Sequence, residues 1–429
     1  MRIVRLWFVS VLLLMLITNI SNGEDLRAGA AVIDITPPVG YPMWGYGSRH
    51  DSPSDGKLDP LKARALVLEV GDTRLAIVSL DLGRAPTRTV TGRIEKQIKE
   101  SDKVDHVLMV ASHTHHGPVI ETDNWPNKKK PYTQELEKKL VQVISAAAEK
   151  LQPARFGLMA KKVKHNRNRH SRLPNPPVDE ELIVVRLESV KGNAIAHLVN
   201  FAAHPTMHSS KVNKFSADYP GALARVVEKQ SGVPCLFLQG AAGDLSSNPG
   251  KVRGPDAFGE MLGREVLAMS KAIQCKRGKD TSLKIRERTF QFKPRIDLSN
   301  PLIKTAFIVA FYKDIVEFYE REYREGIRPR TSVALLDGDI GIVGVSGEVF
   351  CEHAIRLKVR SRLKHLLFLG YCNDYQQYFP TIQAVAEGGY GADPEVAPAA
   401  VGAGEQMMNR ALIDLFDMAG KIRRLIPEE

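Results

Sequence analysis

The sequence has few cysteines, and this scarcity limits the disulfides and cysteine-based metal sites that it can form. Its 429 residues include four, Cys235, Cys275, Cys351 and Cys372. Their spacings do not match a cysteine zinc site. An even number permits disulfides in an exported protein, but three full pairings are possible and the sequence does not choose among them. Cys235 lies in an apolar run and is equally compatible with a buried free thiol.

Long hydrophobic runs are absent apart from one short run at the N-terminus. Arg2 and Arg5 precede an apolar stretch at 6–17, and small residues follow at 21–23. This layout is typical of a secretory signal peptide, and the run is too short for a membrane-spanning helix. We therefore expect 1–23 to be a signal peptide, with an uncleaved anchor as the alternative. The mature protein is then exported, either to the periplasm or as a secreted protein.

Nucleic-acid-binding motifs, internal repeats and low-complexity segments are also absent. The formal net charge is +11 at pH 7, and part of it lies in short clusters at 128–130, 161–162 and 167–172. Such clusters can attract nucleic acid, an anionic membrane surface or an acidic substrate. Because they are short and scattered, we expect no nucleic-acid partner. Peripheral contact with an anionic membrane surface fits them better.

The sequence does contain alternating strand and helix patterns. It is 43% hydrophobic and 25% charged, as is typical of soluble globular proteins. Short apolar runs such as 64–70 and 106–111 predict strands, and periodic segments such as 302–325 and 404–425 predict helices. Because the two types interleave, we predict an α/β fold with multilayered mixed β-sheets and flanking helices. A single catalytic domain over 24–429 is the simplest division.

Several histidines stand where an apolar strand gives way to a turn. A His-x-His pair, His113 and His115, follows the strand predicted at 106–111, and His204 follows another predicted strand. Alternate residues of an extended segment face the same side, so His113 and His115 can point into one pocket. Imidazole is the commonest metal ligand, so the pattern favours a metal site. Histidines that pack in the core or lie on the surface would also fit.

Three further candidates each have a structural alternative. Glu348 follows a Gly turn, where an acidic residue often serves the first turn of a helix. Tyr378 is also compatible with a packing aromatic residue. Ser246 lies in the polar segment 244–248, which could hold a nucleophile or cap a helix. A serine nucleophile needs an adjacent base, and no Gly-x-Ser-x-Gly elbow lies near Ser246.

Taken in order, these segments resemble the catalytic domain of neutral, non-lysosomal ceramidases. The resemblance spans about residues 30–391, and its motifs are specific in combination. The matching motifs are Asp34-Ile35-Thr36-Pro37, Ser112-His113-Thr114-His115-His116-Gly117-Pro118, Asn166-Arg167, Phe201-Ala202-Ala203-His204-Pro205-Thr206, Asp218-Tyr219-Pro220-Gly221, Gly243-Asp244-Leu245-Ser246-Ser247-Asn248, Gly347-Glu348 and the segment 373–378.

The resemblance implies a zinc ion held by two histidines, a glutamate and a tyrosine, which here are His113, His204, Glu348 and Tyr378. It also implies a catalytic group consisting of His115, Arg167, Tyr390 and Ser246, the last matching a serine proposed to be catalytic. The implied reaction is hydrolysis of the N-acyl bond of ceramide. Because zinc lowers the pKa of its bound water to about 7, we favour that water over the serine as the attacking group.

The sequence departs from the family pattern around the metal residues. His116 replaces a serine, Ser247 replaces a proline, and 380–385 differs from the family segment. We expect no C-terminal immunoglobulin-like domain of the kind found in the family. The departures leave two alternatives open. One is a zinc esterase or deacetylase acting on a carbohydrate-linked group, and the other is a non-catalytic binding protein that retains the fold.

Overall fold

The computed structural model of the protein describes residues 26–121, 131–276 and 281–423. The signal peptide expected at 1–23 and the basic cluster at 128–130 lie outside these ranges. Within them, no helix combines the length and the apolar character that crossing a membrane requires.

Strands and helices alternate along the chain, as the sequence predicts. The strands, in chain order, are β1 (Arg27–Asp34), β2 (Gly56–Lys57), β3 (Lys62–Val70), β4 (Thr73–Leu80), β5 (His106–Ala111), β6 (Gln152–Lys162), β7 (Asn166–Asn168), β8 (Glu181–Ser189), β9 (Ala194–Phe201), β10 (Lys214–Phe215), β11 (Cys235–Gln239), β12 (Leu245–Ser247), β13 (Leu283–Thr289), β14 (Arg330–Leu336), β15 (Ile340–Val345), β16 (Glu348–Val349), β17 (His365–Leu369) and β18 (Tyr378–Phe379). The helices are α1 (Arg88–Asp102), α2 (Tyr132–Ala148), α3 (Asp218–Ser231), α4 (Gly254–Ala272), α5 (Pro301–Ala310), α6 (Lys313–Glu322), α7 (Cys351–Ser361), α8 (Ile382–Glu387) and α9 (Ala403–Met418).

Hydrogen bonds join most of these strands into two mixed sheets. The larger has eight strands in the order β11-β9-β8-β6-β1-β3-β4-β5, and the smaller has four in the order β13-β14-β15-β17. Most neighbours are antiparallel, whereas the pairs β4–β5, β9–β11 and β15–β17 are parallel. Short ladders join β2 to β10, β7 to β12 and β16 to β18. The predicted mixed α/β class is confirmed.

The two sheets pack face to face, and helices cover their outer faces. Successive strand residues face opposite sides, so Leu367 points into the core between the sheets while Phe368 packs towards the helices. Helices α1 and α2 cover one half of the larger sheet, and α3 and α4 cover the other half. Helices α7 and α9 cover the smaller sheet. The result is a four-layer arrangement of helix, sheet, sheet and helix.

Local sequence explains how the layers fit together. Strands β3, β4 and β5 are almost continuously apolar because both of their faces are buried. Helix α2 buries Leu136, Leu140 and Ile144, which share one face at helical spacing. Gly29 of β1 permits a close approach, since a Cβ atom there would lie 2.3 Å from the carbonyl oxygen of Ala147. A larger residue would push α2 away from the sheet.

Two elements differ from the prediction. The segment 302–325, predicted as one helix, forms α5 and α6, because extended backbone at Tyr312 (φ 176°, ψ 161°) ends the helical path. Strand β6, which the sequence analysis did not predict, fills the gap between β1 and β8. Its sequence, QPARFGLMAKK, is polar at both ends, and most of its central residues are only half-buried. A strand pattern is weak in such a segment.

The carboxyl ends of several strands meet where the two sheets face each other. The Gly370 N–H donates to the carbonyl oxygen of Gln239 at 3.0 Å, and the Tyr371 N–H donates to that of Gly347 at 3.0 Å. The Ala111 N–H in turn donates to the carbonyl oxygen of Tyr371 at 3.2 Å. These bonds connect the ends of β5, β11, β15 and β17. The turns that follow the strands are therefore held close together.

Candidate metal centre and active site

The Nε2 atoms of His113 and His204 both point towards the carboxylate of Glu348. The Nδ1 atom of His113 lies 2.7 Å from the carbonyl oxygen of Gly83, and that of His204 lies 2.6 Å from that of Ala242. A carbonyl oxygen only accepts, so each Nδ1 carries the proton and each Nε2 exposes a lone pair. His113 holds a left-handed backbone (φ 68°), which is rare for a non-glycine residue and clusters at functional sites.

Glu348 and the two Nε2 atoms form a set of acceptors around one point. Its Oε2 atom lies 3.3 Å from the Nε2 atom of His113 and 3.0 Å from that of His204. All three residues are buried. Burial alone would raise the pKa of Glu348, but the two histidines hold it well below its usual range. A carboxylate oxygen and two imidazole nitrogens that converge on one point are a donor set that suits a divalent cation such as zinc.

His115 lies next to this set. One ligand nitrogen each from His113, His115 and His204 falls within 4.8 Å of the others, and the Nε2 atoms of His113 and His115 are 3.3 Å apart. Burial, together with the neighbouring histidines, lowers the pKa of His115 well below its usual value. Burial and Arg169 likewise lower the pKa of His204 to about 3. At neutral pH the rings of His115 and His204 are therefore uncharged, as metal binding requires.

Tyr378 joins the group through a short strand pair. Strands β16 and β18 are parallel, and their register places Glu348 opposite Tyr378. One guanidinium nitrogen of Arg169 lies 2.9 Å from His204 Nε2 and donates to the Tyr378 hydroxyl at 3.1 Å. Burial, with Glu348 nearby, raises the pKa of Tyr378 well above its usual value. The four residues matched to the family's zinc ligands therefore surround one point.

The arginine that reaches this point is Arg169, whereas the sequence analysis named Arg167. Arg167 is exposed, and its side chain makes no hydrogen bond or ion pair within the described part of the chain. The sequence here reads Asn166-Arg167-Asn168-Arg169, so the Asn-Arg pair occurs twice in succession. The second pair matches the family segment equally well. This repeat is the signal that would have identified Arg169, while a role for Arg167 remains a prediction.

Ser246 and Tyr390 lie at the margin of the site. Ser246 is half-buried in β12, where it forms a bridge with His204 and pairs in register with Arg167. Its hydroxyl makes no hydrogen bond among the described residues, so the structure gives it no adjacent base. The ring of Tyr390 is 5.7 Å from that of Tyr378, and its residue is 69% exposed. Catalytic roles for both residues remain predictions.

Two tyrosines hydrogen-bond the carboxylate of Glu348, and the sequence analysis did not assign them to the site. The Tyr371 hydroxyl donates to Oε2 of Glu348 at 3.4 Å, and the Tyr375 hydroxyl donates to Oε1. The ring of Tyr371 also stacks on His113, with centroids 4.1 Å apart. Such outer partners fix the orientation of metal ligands. The motif 373–378 contains Tyr375, but its pattern alone is equally typical of a packing residue.

A cavity opens at these groups. It encloses about 140 Å³, many times the roughly 10–15 Å³ that one water molecule needs. Its polar border includes His115, Glu348, Tyr378 and Tyr390. Its apolar lining includes Trp44, Leu298, Phe307, Phe311, Val316 and Tyr319. An apolar cavity with a few convergent polar groups suits a ligand that carries both a reactive polar group and a hydrocarbon part.

Known proteins share both this sequence pattern and this fold. The family described as neutral/alkaline non-lysosomal ceramidase, N-terminal, matches residues 26–256. Neutral ceramidase of Pseudomonas aeruginosa is 26% identical over 257 residues, which are 53% of this chain and 38% of that protein. The sequence match therefore spans well under half the length of that relative.

Solved structures of ceramidases resemble the whole fold. The crystal structure of neutral ceramidase from Pseudomonas aeruginosa matches with a TM-score of 0.75 at 18% identity, covering 94% of this chain and 77% of that one. A structure described as ceramidase complexed with C2 gives the same TM-score and coverage at 17% identity. These likenesses establish the fold, and the family match covers more than half of the sequence. The chain belongs to the neutral/alkaline non-lysosomal ceramidase family.

Proposed function

We propose that this protein is a zinc-dependent hydrolase that cleaves the N-acyl amide bond of ceramide or a related N-acylated lipid. One observation carries the proposal: Glu348, which contacts His113 and His204 in a buried cluster, also lines a cavity whose wall is mainly apolar. A lipid amide needs both features, a polar centre for the amide and an apolar surface for its chains. Family membership supports the same reaction class.

The ion would be held by His113, His204, Glu348 and Tyr378. Zinc, when bound, polarises a carbonyl oxygen and acidifies a water molecule. The backbone carbonyl oxygens of Gly83 and Ala242 keep the two imidazoles in the tautomer that exposes Nε2. The hydrogen bonds from Tyr371 and Tyr375 to Glu348 would keep its carboxylate in this orientation.

Three residues would act on the substrate. His115 is uncharged at neutral pH and borders the cavity, so its Nε2 atom can take a proton and return it to the leaving nitrogen. The guanidinium of Arg169 can stabilise negative charge that develops on the amide oxygen. Tyr390 stands at the rim, between Gly389 and Gly391, which both have positive φ, and would contact the entering substrate.

The two alternatives have less support. An esterase or deacetylase for carbohydrate-linked groups would need polar groups and exposed aromatic rings around the metal. A non-catalytic binding protein would need neither the complete ligand set nor a cavity that reaches it. The apolar lining of Phe307, Phe311 and Val316 favours the lipid substrate over both. We also infer export, because 1–23 has a signal-peptide pattern; N-terminal sequencing of the mature protein would test cleavage.

The test compares substrates and variants of the purified protein in the presence of zinc. Fatty acid release from ceramide is expected, with no acetate release from an acetylated saccharide. His113→Ala should abolish the release, whereas His365→Ala, at the opposite end of strand β17, should leave it unchanged. Acetate release without fatty acid release would favour the esterase alternative. Full activity in His113→Ala would contradict the metal assignment.

A further inference from the structure

Arg49 is a buried cation whose partners in the described ranges include no carboxylate. The residue is 4% exposed, and burial lowers its pKa to about 10, so it stays charged at neutral pH. The buried arginines Arg64 and Arg84 each contact two carboxylates. Arg49 instead donates to four backbone carbonyl oxygens and one histidine ring. Burying a charge without an opposite charge is costly, so these hydrogen bonds are what holds Arg49 inside the protein.

The guanidinium of Arg49 joins the turn that carries His115 to neighbouring segments. Its Nη1 atom donates to the carbonyl oxygen of His115 at 2.6 Å. Its Nη2 atom lies 2.6 Å from Nε2 of His116, which must accept because a guanidinium only donates. Its Nε atom donates to the carbonyl oxygen of Ser210 at 3.0 Å, and its central carbon lies 4.8 Å from the ring centre of Tyr46. His116 is a departure from the family pattern, which therefore does not predict this arrangement.

The ring of His115 lacks the hydrogen bond that fixes its two neighbours. The Nδ1 atoms of His113 and His204 each contact a backbone carbonyl oxygen. The Nδ1 atom of His115 is buried and has no hydrogen-bond partner among the described residues. Its ring packs instead against Tyr46, with centroids 4.7 Å apart, and against Gly45, where a Cβ atom would lie 2.6 Å from its Cγ atom. The orientation of this ring therefore depends on how firmly these segments are held.

We propose that Arg49 is a positioning residue for His115. It fixes the backbone of His115 through the carbonyl oxygen, and its contact with Tyr46 holds that ring against the imidazole. This inference rests on the proposed function, in which His115 transfers the proton of the reaction. Arg49 does not line the cavity, so it would act only through His115.

The experiment compares two variants of the full chain, assayed with ceramide in the presence of zinc. Arg49→Met removes the hydrogen bonds, and kcat should fall about 10- to 100-fold, as small displacements of a reacting group do. KM should stay nearly unchanged, because Arg49 does not line the cavity. Arg49→Lys keeps the buried charge and so protects folding, but one ammonium cannot reproduce the forked contacts to His115 and His116. Its kcat should fall as well.

Arg64→Lys is the matched control for Arg49→Lys. Arg64 is also buried, and its partners, Asp81 and Glu228, are not among the residues of the candidate site. Its kcat should stay close to that of the unmodified protein, although urea unfolding should show a loss of stability in both lysine variants. All variants should bind as much zinc as the unmodified protein, because Arg49 contacts none of the candidate metal ligands.

A second measurement needs no turnover. Nuclear magnetic resonance of the zinc-loaded protein with isotope-labelled histidine would follow the ring signal of His115, identified by its loss in His115→Gln. This signal should be single and sharp in the unmodified protein. It should be broadened or split in both Arg49 variants, because the ring then exchanges between orientations.

Each outcome decides one of the two proposals. Unchanged kcat in Arg49→Lys, an equal loss of kcat in Arg64→Lys, or a sharp His115 signal in both Arg49 variants would overturn the positioning role. A rise in KM with unchanged kcat would also overturn it, since it would place Arg49 in substrate binding. A broadened His115 signal in the variants, with no hydrolysis of any N-acyl substrate by the unmodified protein, would leave positioning in place and refute the proposed reaction.

Discussion

At the scale of single residues, Arg169 is the side chain whose removal separates catalysis from folding most directly. Its guanidinium contacts His204, Tyr378 and the carbonyl oxygen of Gly243. If it stabilises charge on the amide oxygen, Arg169→Ala should lower kcat/KM for ceramide by about 10²- to 10³-fold, as loss of one such donor does elsewhere. Steady-state kinetics would measure this.

Arg167→Ala is the control for that variant, because Arg167 lies two residues away in the same repeat and, among the described residues, makes none of the contacts that Arg169 makes. Its kcat/KM should stay close to that of the unmodified protein. A larger loss in Arg167→Ala than in Arg169→Ala would return the role to the residue that the sequence analysis named.

Asp244 supplies a second test, of stability and its dependence on pH. Its carboxylate accepts from the backbone N–H of Cys351 at 2.7 Å and from the Asn168 side chain at 2.8 Å, and burial raises its pKa to about 6. The unfolded chain releases this proton near pH 4. Between about pH 4 and 6 the native state therefore binds more protons, so this group's contribution to stability declines as pH rises through that window.

Asp244→Asn should remove that decline. The free energy of unfolding in urea should be measured for both proteins from about pH 4 to 7. Across that range it should fall by up to about 3 kcal/mol more in the unmodified protein than in the variant. An amide has one acceptor oxygen, so the side chain introduced by Asp244→Asn cannot accept from both the Cys351 N–H and the Asn168 side chain. The turn that carries Arg169 should therefore loosen, and kcat should also fall. Parallel stability curves would contradict the pKa assigned to Asp244.

At the scale of elements, the buried guanidinium of Arg84 connects the turn after β4 to the segments that carry Asp374 and Glu121. Arg84 donates to Asp374 at 2.8 Å and lies 3.5 Å from a carboxylate oxygen of Glu121. Arg84→Met would leave both carboxylates buried without their partner, which costs about 3–5 kcal/mol when one member of a buried pair is removed. Urea unfolding should show this loss.

The comparison variant is Arg264→Met, which breaks an exposed pair with Glu260 on α4. Exposed pairs contribute about 0–1 kcal/mol, so this change should be small. Similar losses in the two variants would mean that Arg84 is not the tie between these segments.

Sequence patterns predicted the elements whose burial is one-sided or complete. The apolar runs of β3 and β5 and the periodic segment of α9 follow directly from the faces that they bury. Strand β6 was missed because its residues are mostly half-buried. The break between α5 and α6 was missed because both helices have helical spacing on either side of Tyr312.

The candidate site was predictable to the extent that its residues follow strand ends. His113 and His204 stand directly after apolar runs, so the sequence alone indicates that they converge. Arg169 could not be distinguished from Arg167, because the repeat offers two equivalent registers and the turn alone decides which side chain points inward. The role of Tyr371 as a partner of Glu348 depends on contacts between distant segments, which no local pattern contains.

At the scale of the whole molecule, the fold brings the candidate metal ligands and an apolar cavity together from opposite layers. The larger sheet supplies His113 and His204, and the turns after the smaller sheet supply Glu348 and Tyr378. Helices α5 and α6 contribute the apolar wall. A metal held between the layers would therefore join them, and its removal should affect both activity and stability.

Zinc dependence is tested by ceramide hydrolysis with one preparation of the full chain before chelation, after chelation and after zinc is restored. We expect hydrolysis to disappear with the metal and to return when about one zinc per chain is bound, as for a single mononuclear site. The free energy of unfolding should fall and recover in parallel. Hydrolysis that continues at an unchanged rate after the bound metal has been removed would refute a metal-dependent reaction at His113, His204 and Glu348.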